Sequence, residues 1–279
     1  MRIILGVDIG GSTTKIVAFQ HGDRVLDRQM VRADDQLTSL YGAVGRILYE
    51  NSLTLEQVAG IVLTGVGATR AEGDIYGIPT VRVKEFQAIG RGGLLLSGLD
   101  KALVVSMGTG TAFVRADGDQ IVHIGGSGVG GGTLLGLSSR LMGEKDIAPV
   151  IALAEKGDLG KVDLSIGEIS NVESPSLPSH ATASNFGGVK STAGDADMAL
   201  GLCNMVFQTA GMLAVFACLD TDVRDIVVTG SMATLPQARP LLNEVGILYG
   251  VKFHIPDDAA FATAIGAASL WSKEFGGFQ

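Results

Sequence analysis

Cysteine is scarce in this chain: there are two, Cys203 and Cys218. Neither has a partner at metal-ligand or disulfide spacing. That excludes a disulfide scaffold and a cysteine-built zinc site, and it predicts a reducing, cytoplasmic setting. His21, His123, His180 and His254 are isolated from one another, so no His/Cys cluster suggests a metal centre. Basic runs are also missing. With a formal charge of −8 and a pI near 5.0, the chain offers no expected surface for nucleic acid or for an anionic membrane. Charged residues make up only 18% against 46% apolar, which excludes a disordered chain. There is no Pro-rich linker, no Walker A sequence and no basic segment leading into a cleavage site, so secretion is not expected. One long apolar run, Met198 to Leu219, holds Asn204, Gln208 and Thr209. It is flanked by Asp195, Asp197, Asp220 and Asp222 instead of basic residues. A buried helix at a lobe or subunit interface is expected there, not a membrane span.

Glycine, by contrast, is abundant: 40 of 279 residues, much of the excess in short clusters. The first cluster, Asp8-Ile9-Gly10-Gly11-Ser12-Thr13-Thr14-Lys15, follows the apolar run Ile3 to Val7 and precedes Ile16 to Phe19. A related unit returns about a hundred residues later as Ser106-Met107-Gly108-Thr109-Gly110-Thr111, between Ala102–Val105 and Ala112–Val114. Each then turns on a Gly-Asp pair, at His21-Gly22-Asp23 and Asp117-Gly118-Asp119. Strand, glycine turn, strand, tight turn, strand: the unit occurs twice. Two such turns facing each other across a cleft would hold a polyphosphate through backbone N–H groups and hydroxyls.

The rest of the pattern is αβ. An amphipathic helix is predicted over Leu37 to Leu48 behind Asp34-Asp35, strands at Gly60–Thr64 and Val81–Lys84, and a helix opening at Glu85. The chain divides into lobes of about 1–97 and 98–279, with a last helix over Ala259–Lys273 expected to pack back on the first lobe. Residues 156–197, with Pro175, Pro178 and Gly187-Gly188, read as a loop-rich lid or interface. Ile226–Thr229 is a further strand running into Gly230-Ser231.

Asp8 closes the first strand. A carboxylate there suits a magnesium ion set against nucleotide phosphates, and it also suits a plain turn cap. Lys15 suits a phosphate partner. Glu85 is the candidate base for a hydroxyl attacking a γ-phosphate, and equally an acidic first-turn residue favoured by the helix dipole. The run Gly125 to Thr133 contains G-x-G-x-x-G, but it follows a hairpin. An anion or acceptor site at a helix N-terminus is the better expectation than a dinucleotide fingerprint.

Taken together these residues resemble the type II (eukaryotic-like) pantothenate kinases. The resemblance runs through Asp8–Lys15, Leu63-Thr64-Gly65, Glu85-Phe86, Gly108–Thr111, Gly130–Thr133 with Gly136-Leu137, Ala183–Gly187 and Ala264–Ala267. It implies an α/β fold of two ribonuclease-H-like (actin-like ATPase) lobes around an ATP cleft, and a homodimer. It implies ATP and Mg2+ as cofactors, with Asp8 as metal ligand and Glu85, Asp8 and Lys15 as catalytic residues. Nucleotide contacts would come from Gly10, Gly11, Ser12, Thr13, from Gly108, Thr109, Gly110, Thr111 and from Gly130, Gly131, Gly132. Glu85, Ser106, His123 and Asn185 would contact the acceptor. The implied reaction is phosphorylation of the primary hydroxyl of pantothenate, the first step toward coenzyme A. This chain departs from the family at one place, where His123 stands for an Arg that binds the pantothenate carboxylate; Arg91 and Arg140 are candidate substitutes. Alternatives left open are a kinase for a pantothenate amide or a sugar, a non-catalytic nucleotide or coenzyme A sensor, and an activator ATPase of a 2-hydroxyacyl-CoA dehydratase.

Overall fold

The computed structural model describes residues 2–20, 24–32, 35–170 and 178–271. The expected turn at His21-Gly22-Asp23, together with Asp34, Pro175 and the end of the last helix at Ser272-Lys273, lies outside them. The first half contains β1 (Ile3–Ile9), β2 (Thr13–Gln20), β3 (Arg24–Arg32), α1 (Gln36–Glu50), β4 (Val58–Thr64), β5 (Thr80–Arg82) and α2 (Glu85–Ser97). The second opens with β6 (Lys101–Met107), β7 (Thr111–Asp117), β8 (Gln120–Ser127), α3 (Gly131–Leu141) and α4 (Ile147–Ala154). It continues through β9 (Leu164–Ser165), α5 (Ile166–Ile169), β10 (Thr182–Ser184) and α6 (Asp195–Cys218). It closes with β11 (Asp225–Thr229), α7 (Ala238–Tyr249), β12 (Lys252–His254) and α8 (Ala262–Ser269).

Two five-stranded sheets result, in the orders β3-β2-β1-β4-β5 and β8-β7-β6-β11-β12. Position for position they are the same sheet: an antiparallel three-strand meander, then two strands added in parallel to its first member. The duplication read from the glycine turns therefore covers the whole sheet. β1 is buried at all seven positions because helices cover both of its faces, which is why its sequence is a near-continuous apolar run. On one face α1 contributes Leu40, Ala43, Val44 and Ile47 to a core with Leu5, Val7 and Ile61. On the other, Ala264, Ile265 and Ala268 of α8 meet Ile4, Val17 and Val62.

The last helix thus packs on the first sheet, and α2 makes the reverse move: its Ile89 and Leu94 pack with Val104 and Val114 of the second. Where α2 and α8 cross, a Cβ on Gly92 would run into the Ala262 carbonyl, and one on Gly266 into the Ala88 carbonyl. The two backbones touch there.

α6 is long and apolar enough to cross a membrane, but 61% of that stretch is buried in the protein. Phe207, Val206, Ala210 and Ala214 belong to the core over β6 and β11. It is a core helix, and its last turns, at Leu213, Phe216 and the capping Leu219, present large apolar side chains outward. Cys203 and Cys218 are buried thiols within it, and burial pushes Cys203 up to about 12.

Outside the loop-rich stretch, which holds the short β9, α5 and β10, three elements escaped the pattern: α4, α7 and β12. Both helices carry a proline at their third position, Pro149 and Pro240. Proline reads as a breaker, yet it fits a first turn, where its missing N–H has no helical partner to lose. In the loop-rich stretch, Asp163 organises the chain. Its carboxylate accepts from the Phe186 N–H (2.9 Å) and from Asn204 of α6 (2.7 Å), tying the β9–β10 region to the core helix.

Candidate active site

Asp8, Lys15, Glu85 and the residues of both glycine turns converge on a cleft of about 640 Å³. Its floor comes from the first hairpin. Asp8 and Lys15 oppose each other in the β1–β2 register, with Nζ 4.0 Å from Oδ2, and both are buried. Burial pushes the Asp8 carboxyl above the usual range, and the Lys15 ammonium pulls it back. Lys15 is thereby Asp8's ion-pair partner, and it also lines the cleft.

Glu85 enters from the other side as the first residue of α2. It is placed there because β5 ends at Arg82 and the chain, after one more bond from Val83 N–H to the Leu63 carbonyl (3.0 Å), turns straight into the helix. Its pKa is raised, first by burial and second by the negative charge of Asp8, with Lys15 acting in the opposite sense. The result is an acidic pair whose charges a single buried lysine opposes.

The turns are locally self-bonded: Gly10 N–H donates to the Thr13 carbonyl (3.0 Å) and Gly108 N–H to that of Gly110 (2.9 Å). Ser12 Oγ and Thr109 Oγ1 approach to 3.2 Å across the cleft. Hydroxyls this close can both donate to oxygens of one phosphate. Gly10–Thr13, Gly108–Thr111, Ser106 and His123 all line the cleft.

Two expectations need correction. Gly130, Gly131 and Gly132 do not line the cleft, and their N–H groups are occupied. Gly131 donates to the Gly108 carbonyl (2.8 Å), Gly132 to that of Thr109 (2.9 Å) and Gly130 to Thr133 Oγ1 (3.3 Å). The triple glycine braces the second turn from behind instead of holding an anion. A Cβ on Gly130 would stand 2.7 Å from the Thr109 carbonyl. Asn185 is likewise absent from the cleft. It pairs with Gln208 (2.9 Å) and Asn204 (3.3 Å) of α6, inside the Asp163 network. Neither substitute arginine reaches the site: Arg91 faces Asp119 at the β7–β8 turn (3.9 Å), and Arg140 is not among the lining residues.

Some lining residues were missed. Phe86 stacks on His123 with ring centroids 3.7 Å apart and planes 6° from parallel. Gly230 and Ser231 line the far side, and Val66 the near side. A signal for these existed: Thr64-Gly65 and Thr229-Gly230 end equivalent strands. Both glycines adopt the same left-handed conformation, φ 86° and 89°, which a side chain would strain. Among the described residues no group of three or more His, Cys, Asp or Glu gathers as a metal site.

Residues 101–239 match the family described as Fumble. Over 277 residues, 95% of this chain and 98% of the other, the sequence is 29% identical to the type II pantothenate kinase of Staphylococcus aureus strain USA300. Among solved structures, the fold matches (R)-2-hydroxyglutaryl-CoA dehydratase component A of Acidaminococcus fermentans with a TM-score of 0.72. That match has 17% identity over 98% of this chain and 99% of that one. It also matches a ROK family glucokinase of Streptomyces griseus, in complex with glucose and AMPPNP, with a TM-score of 0.61. There the identity is 12%, over 96% and 98%. The two lobes have the sugar-kinase and actin-like ATPase fold, and over nearly its whole length the chain is similar to a type II pantothenate kinase, with the Fumble match spanning residues 101–239.

Proposed function

We propose that this protein transfers the γ-phosphoryl group of ATP to the primary hydroxyl of pantothenate. The observation that carries the reading is the convergence, in one cleft, of both glycine turns with Asp8, Lys15 and Glu85. The near full-length similarity to a type II pantothenate kinase supplies the acceptor.

Glu85 takes the proton of the acceptor hydroxyl as its oxygen bonds to the γ-phosphorus. The bond from that phosphorus to the β–γ bridging oxygen breaks, and ADP leaves. A raised pKa makes Glu85 a stronger base than an exposed glutamate. Ser12 and Thr109 hold the phosphates from the two sides, and the Lys15 ammonium, facing Asp8, favours its ionised form against the effect of burial. A buried carboxylate beside a phosphate site fits magnesium, which is typically held by one or two carboxylates plus the phosphates themselves. Asp8 is the residue that would hold it, and the ion would neutralise charge on the β- and γ-phosphates.

The buried thiols of Cys203 and Cys218 speak against the dehydratase-activator alternative, which needs cysteines available to a cluster. A cytoplasmic homodimer completes the reading; sedimentation would place it near twice the 28.8 kDa monomer.

The deciding assay is ATP- and magnesium-dependent formation of phosphopantothenate, followed by mass spectrometry and ADP release. Product formation is expected. ATP binding without transfer to pantothenate or any pantothenate amide would overturn the assignment in favour of a sensor.

A further inference from the structure

The acceptor end of the cleft is poor in fixed positive charge. Its charged lining residues are Asp8, Glu85 and Lys15, two carboxylates against one ammonium. Lys15 is buried and faces Asp8. No arginine is among the described residues that line it, and Arg91 lies with Asp119 elsewhere. A carboxylate entering here meets neither the planar fork nor the unshared ammonium that would compensate its desolvation.

What the wall beside Glu85 does offer is a flat plate. Phe86, the next residue in the chain, and His123 are stacked nearly parallel, and both are exposed. Val66 and Ile89 also line the cleft. Such a surface accepts the face of an amide group or an alkyl tail, and it gives a carboxylate nothing directional.

We propose that, among acceptors carrying the pantoyl hydroxyl, the site selects those whose far end is a neutral secondary amide over those ending in a free carboxylate. The hydroxyl sits at Glu85 and the amide tail lies along the Phe86–His123 plate. The inference rests on the kinase reading above and narrows its substrate class.

The test compares kcat/KM for pantetheine and pantothenate on the wild-type protein with saturating ATP and magnesium. A preference for pantetheine of about tenfold or more is expected, the scale of one hydrogen bond to a charged group that the site does not supply. His123→Arg, which adds a guanidinium to the plate, should shift the ratio toward pantothenate by a similar factor. Phe86→Ala should lower kcat/KM more for pantetheine than for pantothenate. Equal or greater wild-type efficiency on pantothenate overturns the inference and leaves the kinase reading intact. Silence on both acceptors removes the kinase reading and this inference with it.

Discussion

Glu85 shows how a side chain can be legible by position and still not by role. Its place at a helix start was readable, because Val81–Lys84 alternates as a strand and Glu85 opens an apolar-periodic segment. On that position alone a first-turn acid is explained by the helix dipole. The burial and the neighbouring Asp8 charge that single it out arise from residues 77 positions apart and cannot be read from either segment. Both effects favour the protonated form in the folded protein. Ionising Glu85 therefore costs stability: the cost is absent well below its ordinary value of 4.5 and sets in as pH rises toward the raised folded value. Glu85→Gln should raise Tm at neutral pH, with the gap to wild type closing as pH falls toward 4.5, as scanning calorimetry at several pH values would reveal. The same variant should lose about a hundredfold or more in kcat while keeping ATP affinity. In the wild type, kcat/KM should fall on acidification with a midpoint above 4.5, where the base becomes protonated. Undiminished turnover in Glu85→Gln would take the base away from this residue.

At the level of elements, the glycine clusters were found correctly, and one was given the wrong task. Sequence alone records that Gly130-Gly131-Gly132 opens a helix, and a helix start favours an anion. It does not record that the second turn folds back onto that helix start and takes its N–H groups. The brace makes the turn's shape depend on α3. Gly130→Ala places a methyl against the backbone of Thr109 and Gly110, so it should raise KM for ATP severalfold and lower Tm. Gly136→Ala, in the same helix with open space at its Cβ position, should be neutral or gain about 0.5–1 kcal/mol. Equal behaviour of the two variants in thermal melts and ATP titrations would refute the bracing role. The proline-bearing helices α4 and α7 were invisible for a related reason: a local rule about proline was stronger than the periodicity behind it.

Over the whole molecule the duplication was the most readable feature, since two copies of strand-turn-strand stand about a hundred residues apart and each carries its glycines. What stayed hidden is the exchange of helices, with α2 on the second sheet and α8 on the first, because apolar faces do not name their partners. The contact between them has no side chains at its centre. Gly266→Ala would force the backbones apart and should cost about 1–3 kcal/mol or more, lowering Tm and kcat together. A kcat unchanged alongside a lowered Tm would separate that crossing from catalysis. Backbone contact of this kind leaves no space for a side chain between α2 and α8 and holds the two helices in register. Glu85 lies seven residues from Gly92 along α2, a lever arm of about 10 Å at the helical rise. A rotation of ~5° about that point would carry Glu85 less than about 1 Å. The candidate base thus lies close to the point where the two lobes are locked together, and a small tilt about that point displaces it little.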